Sequence, residues 1–190
     1  MESRVYLRGF ESSDYKTTLK WRQDEEISSM VGGQKYFVTS DMEKKWAETA
    51  SMDNTRSIRL MVCLEDMEEP IGMVTLTDIN YVNRTAHSNI LLGNKDSWGK
   101  GYGTKALNLL LAYAFEELGL NRIEALILDS NIGSIKLHKK CGYREEGVKR
   151  NSIYKNGHYH NQILVSLLKE ESKWGGVIVL IINNIKRDAA

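Results

Sequence analysis

Proline is almost missing from this chain: Pro70 is the only one in 190 residues. That excludes proline-rich spacers and polyproline architecture. Cysteine is nearly as scarce. Cys63 and Cys141 stand far apart, and neither lies in a CxxC or at zinc-ligand spacing from a histidine. A disulfide scaffold and a structural zinc site are therefore excluded, and no metal is expected. Charge of one sign is also lacking, with 26 Lys+Arg against 25 Asp+Glu. No overall field collects nucleic acid, so any anion site has to be local. The longest apolar run, Val177 to Ile182, falls far short of the ~20 residues that cross a bilayer. Met1-Glu2-Ser3-Arg4-Val5 has no signal-peptide pattern. Together with two scattered thiols, these absences lead to the expectation of a cytoplasmic protein with neither membrane nor nucleic acid as partner.

What is present suits one globular domain. A hydrophobic content of 42% and a charged content of 27% exclude bulk disorder. Val5 to Gly9 reads as an opening strand. Ser12-Ser13-Asp14 caps a helix to about Trp21, and Arg22 to Val38 is mixed. Ser40-Asp41-Met42-Glu43 reads as a capping box for a second helix. Ile58, Leu60, Val62 and Leu64 alternate with Arg59, Met61 and Cys63, and two further strands follow at Ile71–Ile79 and Ala86–Leu92. Leu107, Leu110, Leu111, Ala114, Phe115 and Leu118 recur at helical spacing. Ile123–Leu128 is a short, mostly apolar strand, and Asn131–Cys141 a helix closed by Gly142. Val148–Tyr154 and Gln162–Leu168 are strands around an Asn156-Gly157 hairpin signal. The order β, α, α, β, β, β, α, β, α, β, β predicts an α/β fold. Its sheet is mixed but mostly antiparallel, with about seven strands and about four flanking helices. The tail 174–190 carries no evident chemistry. An added strand, a dimer contact and a loose end all remain open for it.

The sharpest local signal is Ser97-Trp98-Gly99-Lys100-Gly101-Tyr102-Gly103-Thr104-Lys105, between a strand and a strong helix. Alternating glycines allow backbone N–H groups to converge, and the helix behind them adds unpaired donors and a positive dipole end. Such a loop binds phosphate, or else simply turns the chain. It is not a Walker A loop, because Thr104-Lys105 after Gly103 misplaces the lysine. Nor is it a Rossmann turn, since its third glycine comes one residue early. One strand later, Asn131-Ile132-Gly133-Ser134-Ile135-Lys136-Leu137-His138-Lys139-Lys140-Cys141-Gly142-Tyr143 opens the next helix.

This pair of motifs resembles the GNAT acetyltransferase superfamily. Trp98, Gly101 and Gly103 match its Q/R-x-x-G-x-G/A loop, with Trp98 replacing the usual Gln or Arg. The Asn131 helix matches N-x-x-S-x-x-L-[Y/H]-x-K-x-G-[F/Y], with Cys141 before the glycine. The resemblance covers about Val5 to Leu168 and implies a GNAT-like fold. Residues 1–173 would form a single acetyl-CoA-dependent N-acetyltransferase domain that acetylates a primary amine. The acceptor would be a small molecule (a polyamine or amino sugar) or a protein N-terminus. Acetyl-CoA would be the co-substrate, and a homodimer is expected. In that likeness the amides of Gly99, Lys100, Gly101, Tyr102, Gly103 and Thr104 cradle the diphosphate, beside Trp98. Ile90, Leu91 and Leu92 line the pantetheine arm, with an oxyanion donor near Leu91 or Leu92. Asn131 bonds the cofactor. Lys136, Lys139 and Lys140 either reach its 3′-phosphate or complement the helix dipole.

His138 holds the place of the usual tyrosine acid. It is either the proton donor to the leaving thiolate or a buried helix histidine. His87 and Asp78 are alternative bases, and ordered water is the third option. Asp24, Glu25 and Glu26 either attract a cationic amine or end a helix in solvent. Tyr154 and Tyr159 either line the amine pocket or pair across strands. Two stretches look similar to different branches: Leu76–Asn80 with Arg84–Ala86 to spermidine acetyltransferases, and Trp21–Ile27 to amino-sugar and N-terminal acetyltransferases. The runner-up reading is a non-catalytic acyl-CoA sensor or assembly module.

Overall fold

The computed structural model describes residues 3–32 and 37–173, and the backbone of 185 and 186. Gly33 of the mixed stretch and most of the tail lie outside the described residues. The elements are β1 (Val5–Gly9), α1 (Tyr15–Gln23), α2 (Glu25–Met30), α3 (Ser40–Ala50), β2 (Ile58–Leu64), β3 (Gly72–Asn80), β4 (Thr85–Leu92), α4 (Tyr102–Ala112), β5 (Arg122–Leu128), α5 (Ile132–Lys140), β6 (Arg144–Lys155), β7 (His158–Leu168) and β8 (Ile185–Lys186). They build one sheet in the order β6-β7-β5-β4-β3-β2-β1-β8. Its pairs are antiparallel except β4 with β5 and β1 with β8. No helix among the described residues is long and apolar enough to cross a membrane.

Each face of the sheet buries its own core. On the first face Ile58, Leu60, Val62 and Leu64 of β2 meet Leu107, Leu110 and Leu111 of α4 and Ala114 and Phe115 of the helical turn that follows it. This is the leucine stripe read from the sequence, and these five side chains are fully buried. On the second face Met61 and Cys63 of the same strand meet Trp21, Ile27, Ala47 and Ala50 of α1, α2 and α3. The period of two assigns alternate β2 residues to opposite cores. Burial inactivates both thiols, and it pushes Cys141 up to about 12.

Three local expectations change. The helix after Ser12 begins as a single 3-10 turn, because Asp14 is held by Arg8 and by the Glu11 N–H. The capping box at Ser40 does not form. Thr39 is the N-cap, accepting from Met42 N–H at 3.2 Å. Glu43 is buried instead and takes Thr18 Oγ1 (2.7 Å) and Arg22 Nε (2.8 Å). The mixed stretch after Arg22 contains an extra short helix, α2. Asp24 caps it, accepting from the Ile27 N–H at 3.0 Å.

The turns follow the residues predicted for them. Asn156 and Gly157 have φ of 52° and 80°, the left-handed pair a type I′ hairpin requires. Gly142 (φ 99°) ends α5 in a Schellman motif. Its N–H reaches Lys139 O, and the Tyr143 N–H reaches His138 O.

Candidate active site

The feature that positions the site is a wedge between β4 and β5. These parallel strands pair only at Thr85–Arg122, Ala86–Ile123 and His87–Glu124. Past that rung β4 stays on β3 through Leu92, and β5 stays on β7 through Leu128. A gap therefore opens inside one sheet. Register then decides which backbone groups face it. Gly93 N–H bonds Ile71 O at 2.9 Å, and Leu92 is paired with Gly72. Bonded and non-bonded pairs alternate along an antiparallel ladder. Leu91 therefore turns its N–H to β3, while Ile90 and Leu92 turn theirs into the wedge. Of the two expected oxyanion donors, Leu92 therefore presents its N–H to the wedge and Leu91 does not, while Ile90 presents its own as well.

The glycine loop closes one end of the wedge. Gly99 and Gly101 have φ of 73° and 81°, and a Cβ on either would meet nothing within 4 Å. They are glycine for backbone conformation, and the surface above them is open. Gly103 differs. A Cβ there would lie 2.7 Å from Leu137 Cδ1 and 3.3 Å from Leu92 Cδ1. It is glycine so that α4 can approach both α5 and the wedge strand. The first helical bond of α4 runs from Lys105 N–H to Gly101 O. The N–H groups of Tyr102, Gly103 and Thr104 thus have no partner within the helix. Trp98 is used within the protein. Its indole Nε1–H donates to Leu92 O at 2.9 Å, tying loop to strand. Lys100 and Lys105 are exposed beside the loop.

Helix α5 forms the other wall. Asn131 is engaged within the protein: Oδ1 accepts from Ser134 N–H (3.0 Å) and Nδ2 donates to Met30 O (2.9 Å). Its side chain caps α5 and ties it to α2. His138 is 2% exposed, stacked edge-on against Tyr143 at 4.9 Å. Its Nδ1 lies 2.8 Å from Ser134 O, which fixes the N–H on that nitrogen. Nε2 is then a buried acceptor with no partner. Burial lowers its pKa, the Ser134 carbonyl opposing this in part, so the ring is neutral and its one proton is committed. That geometry disfavours the acid role considered for His138.

A folded pKa below the unfolded 6.5 means that the unfolded chain binds the proton more readily. Stability is full above 6.5 and falls as pH drops below it towards the folded pKa. His138→Phe is expected to flatten that acid-side loss. Melting temperature measured between pH 7 and pH 5 checks this, and an unaltered slope would reject the assignment.

The second face of the wedge carries charge. His87 and Glu124 share the last paired rung, with Nε2 3.8 Å from Glu124 Oε2. Glu124 accepts from Arg122 Nε at 2.7 Å, and Arg122 holds Glu146 with both terminal nitrogens. Glu146 also accepts from Ser166 Oγ at 2.7 Å. Arg122 beside it pulls the Glu146 carboxyl down to about 2. Glu124 and Glu146 were not singled out from sequence, because only the pairing of the strands brings Glu124 beside His87 and Glu146 beside Arg122. The same holds for Ser88, the first residue past the rung. Its hydroxyl lies 2.7 Å from the buried Tyr143 hydroxyl, joining the two walls at the apex.

Asp78 is not brought to this point. It is exposed, at φ 51°, in the irregularity where β3 loses register with β4. The acidic triplet is partly neutralised: Lys95 Nζ contacts Asp24 Oδ2 at 2.8 Å and Glu26 Oε2 at 2.9 Å. Glu25 is exposed. Tyr154 stacks edge-on with Tyr159 at 5.1 Å on the outer hairpin. It alternates with Lys155, which reaches α2, so Tyr154 points to the opposite side of its strand. A cleft of about 560 Å³ sits where α1 and α2 meet the end of β4, lined by Trp21, Asp24, Ile27, Glu69 and Gly93 among others.

The model of the acetyltransferase (GNAT) domain family matches residues 4–144. A putative ribosomal N-acetyltransferase of Bacillus subtilis is 39% identical over 105 residues, which is 55% of this chain and 56% of that protein. The match thus spans little more than half of that relative. A spermidine N(1)-acetyltransferase of Vibrio cholerae is 27% identical over 161 residues, covering 85% of this chain and 91% of that protein. In three dimensions, a Vibrio cholerae spermidine N-acetyltransferase solved with CoA and spermine superposes with a TM-score of 0.81. It does so at 24% identity, over 88% of this chain and 96% of that one.

Proposed function

The chain belongs to the GNAT acetyltransferase family, and from that premise we propose that it transfers acetyl from acetyl-CoA to a primary amine, a polyamine before an amino sugar or a protein N-terminus. One observation carries the reading: the wedge ends on a helix N-terminus whose glycines leave it open. The residues fit the carrier. The amides of Gly99 to Thr104 supply donors for a diphosphate. Ile90 and Leu92 supply strand-like backbone partners for the pantetheine arm.

The chemistry follows from the charges. A polyamine nitrogen with a lysine-like pKa near 10.4 is free in only about one molecule in a few thousand at pH 7. That deficit is roughly 4–5 kcal/mol. His87, beside Glu124, first takes a proton from the ammonium; the free amine then attacks the thioester carbon from the second face, and its second proton passes to water as the intermediate collapses. The tetrahedral oxygen meets the N–H of Ile90 or Leu92. Collapse breaks the C–S bond. The departing thiolate has a thiol pKa near 8.5, so water can protonate it, and no His138 acid is required.

Glu124, Glu146 and the triplet Asp24–Glu26 outnumber Arg122 and Lys95, which pair with four of them, and this acidic excess supports a cationic acceptor such as a polyamine. The buried thiols agree with a reducing cytoplasm, and a homodimer accompanies the family resemblance. The test is an amine panel with thiol detection. Release is expected to be greatest with polyamines. Acetyl-CoA binding with no release from any amine would instead identify a sensor.

A further inference from the structure

Helix α2 lies across the open mouth of the wedge on its second face. Its beginning is tied to the β4 side, where Lys95 bridges Asp24 and Glu26. Trp21, just before it, packs so tightly on Gly93 that a Cβ there would come 2.1 Å from the ring. Its end is tied to the β5 side. Asn131 donates to Met30 O at 2.9 Å, and Lys155 Nζ donates to Ser28 O and, at 2.6 Å, to Val31 O. Gly32 follows directly against Gln162 of β7. Six helical residues span about 9 Å. That is close to two interstrand spacings of about 4.8 Å, the width of a missing strand.

Lys155 is the unusual member of this set. It is 7% exposed, whereas lysine is seldom buried unless paired. Its partners here include two main-chain carbonyls at the C-terminal end of a helix. Those carbonyls have no intrahelical donor, and the dipole there favours a cation. The end of α2 is thus a cage for a primary ammonium, filled from within the chain by a residue more than a hundred positions away.

We propose that Lys155 is a positioning residue for the acceptor amine: caged by the Ser28 and Val31 carbonyls, it holds α2 shut across the wedge and so sets the wall against which the acceptor packs. The proposal rests on the acetyltransferase reading above. The cage is built from α2 and β6, not from the glycine loop 99–104, so its effects are expected on the acceptor.

Lys155→Ala in the full chain tests this, with wild-type thiol release measured first. Absence of release in the wild type counts against the enzyme reading, not against the latch. The acceptor KM is expected to rise about ten-fold or more on loss of these charged hydrogen bonds. The acetyl-CoA KM should move by less than about two-fold, since the cage and the loop belong to different elements. In Lys155→Cys, alkylation with 2-bromoethylamine rebuilds a lysine isostere and should return the acceptor KM towards wild type. Hydrogen exchange gives a readout free of turnover: amides of residues 25–32 should exchange faster in Lys155→Ala, with α4 unchanged. An unchanged acceptor KM, both KM values rising together, no rescue by aminoethylation, or unaltered exchange in α2 would each overturn the proposal.

Discussion

Gly101→Glu is expected to weaken acetyl-CoA binding about a hundred-fold or more, with most of the fold intact. Two effects add. A side chain at φ 81° is strained, by roughly 1–2 kcal/mol for a left-handed non-glycine residue. A carboxylate then sits where the diphosphate should, and like charges brought together cost several kcal/mol. About 2.8 kcal/mol suffices for a hundred-fold. Space above Gly101 is open, so packing is not disturbed. Gly103→Glu is a poorer probe, because its Cβ would collide with Leu137 and Leu92 and lower stability as well. Calorimetric titration with acetyl-CoA, beside a melting curve, separates the two. Wild-type affinity in a folded Gly101→Glu protein would remove the loop from the cofactor site.

His87→Ala should be the most damaging change to turnover. Loss of a general base lowers rate by about 10²–10⁴-fold. Because the base acts on a protonated amine, the deficit should be largest near pH 7 and shrink towards pH 10, where the free amine accumulates. Glu124→Gln should show a smaller loss in the same direction, since Glu124 only faces His87 Nε2 at 3.8 Å. A kcat/KM profile against pH for wild type and both variants decides the point. A His87→Ala enzyme with wild-type rates at pH 7 would transfer the role to water.

The stripe from Leu107 to Phe115 and the alternation in β2 were readable because period alone assigns a residue to a face. Asn156-Gly157 and Gly142 were readable because their backbone angles exclude most other residues. The role of His138 was not readable. A histidine at that helical position serves acid chemistry or packing equally well, and only the Ser134 carbonyl and the surrounding burial commit its proton. Asn131 was placed correctly at the head of α5, yet its amide is spent on Ser134 and on Met30, a partner 101 positions away. Asp78 and His87 looked alike as candidate bases. The bulge sends one to solvent, and the last β4–β5 rung sets the other beside Glu124.

Local chemistry therefore determined the elements, their faces and the open glycine loop, since each depends on residues within a turn or a strand of one another. Tertiary structure alone decided where β4 and β5 part, which backbone donors face that gap, and which side chains meet across it. Those outcomes depend on strand register and on contacts such as Lys155 to α2. They join residues dozens to more than a hundred positions apart, which no local pattern encodes.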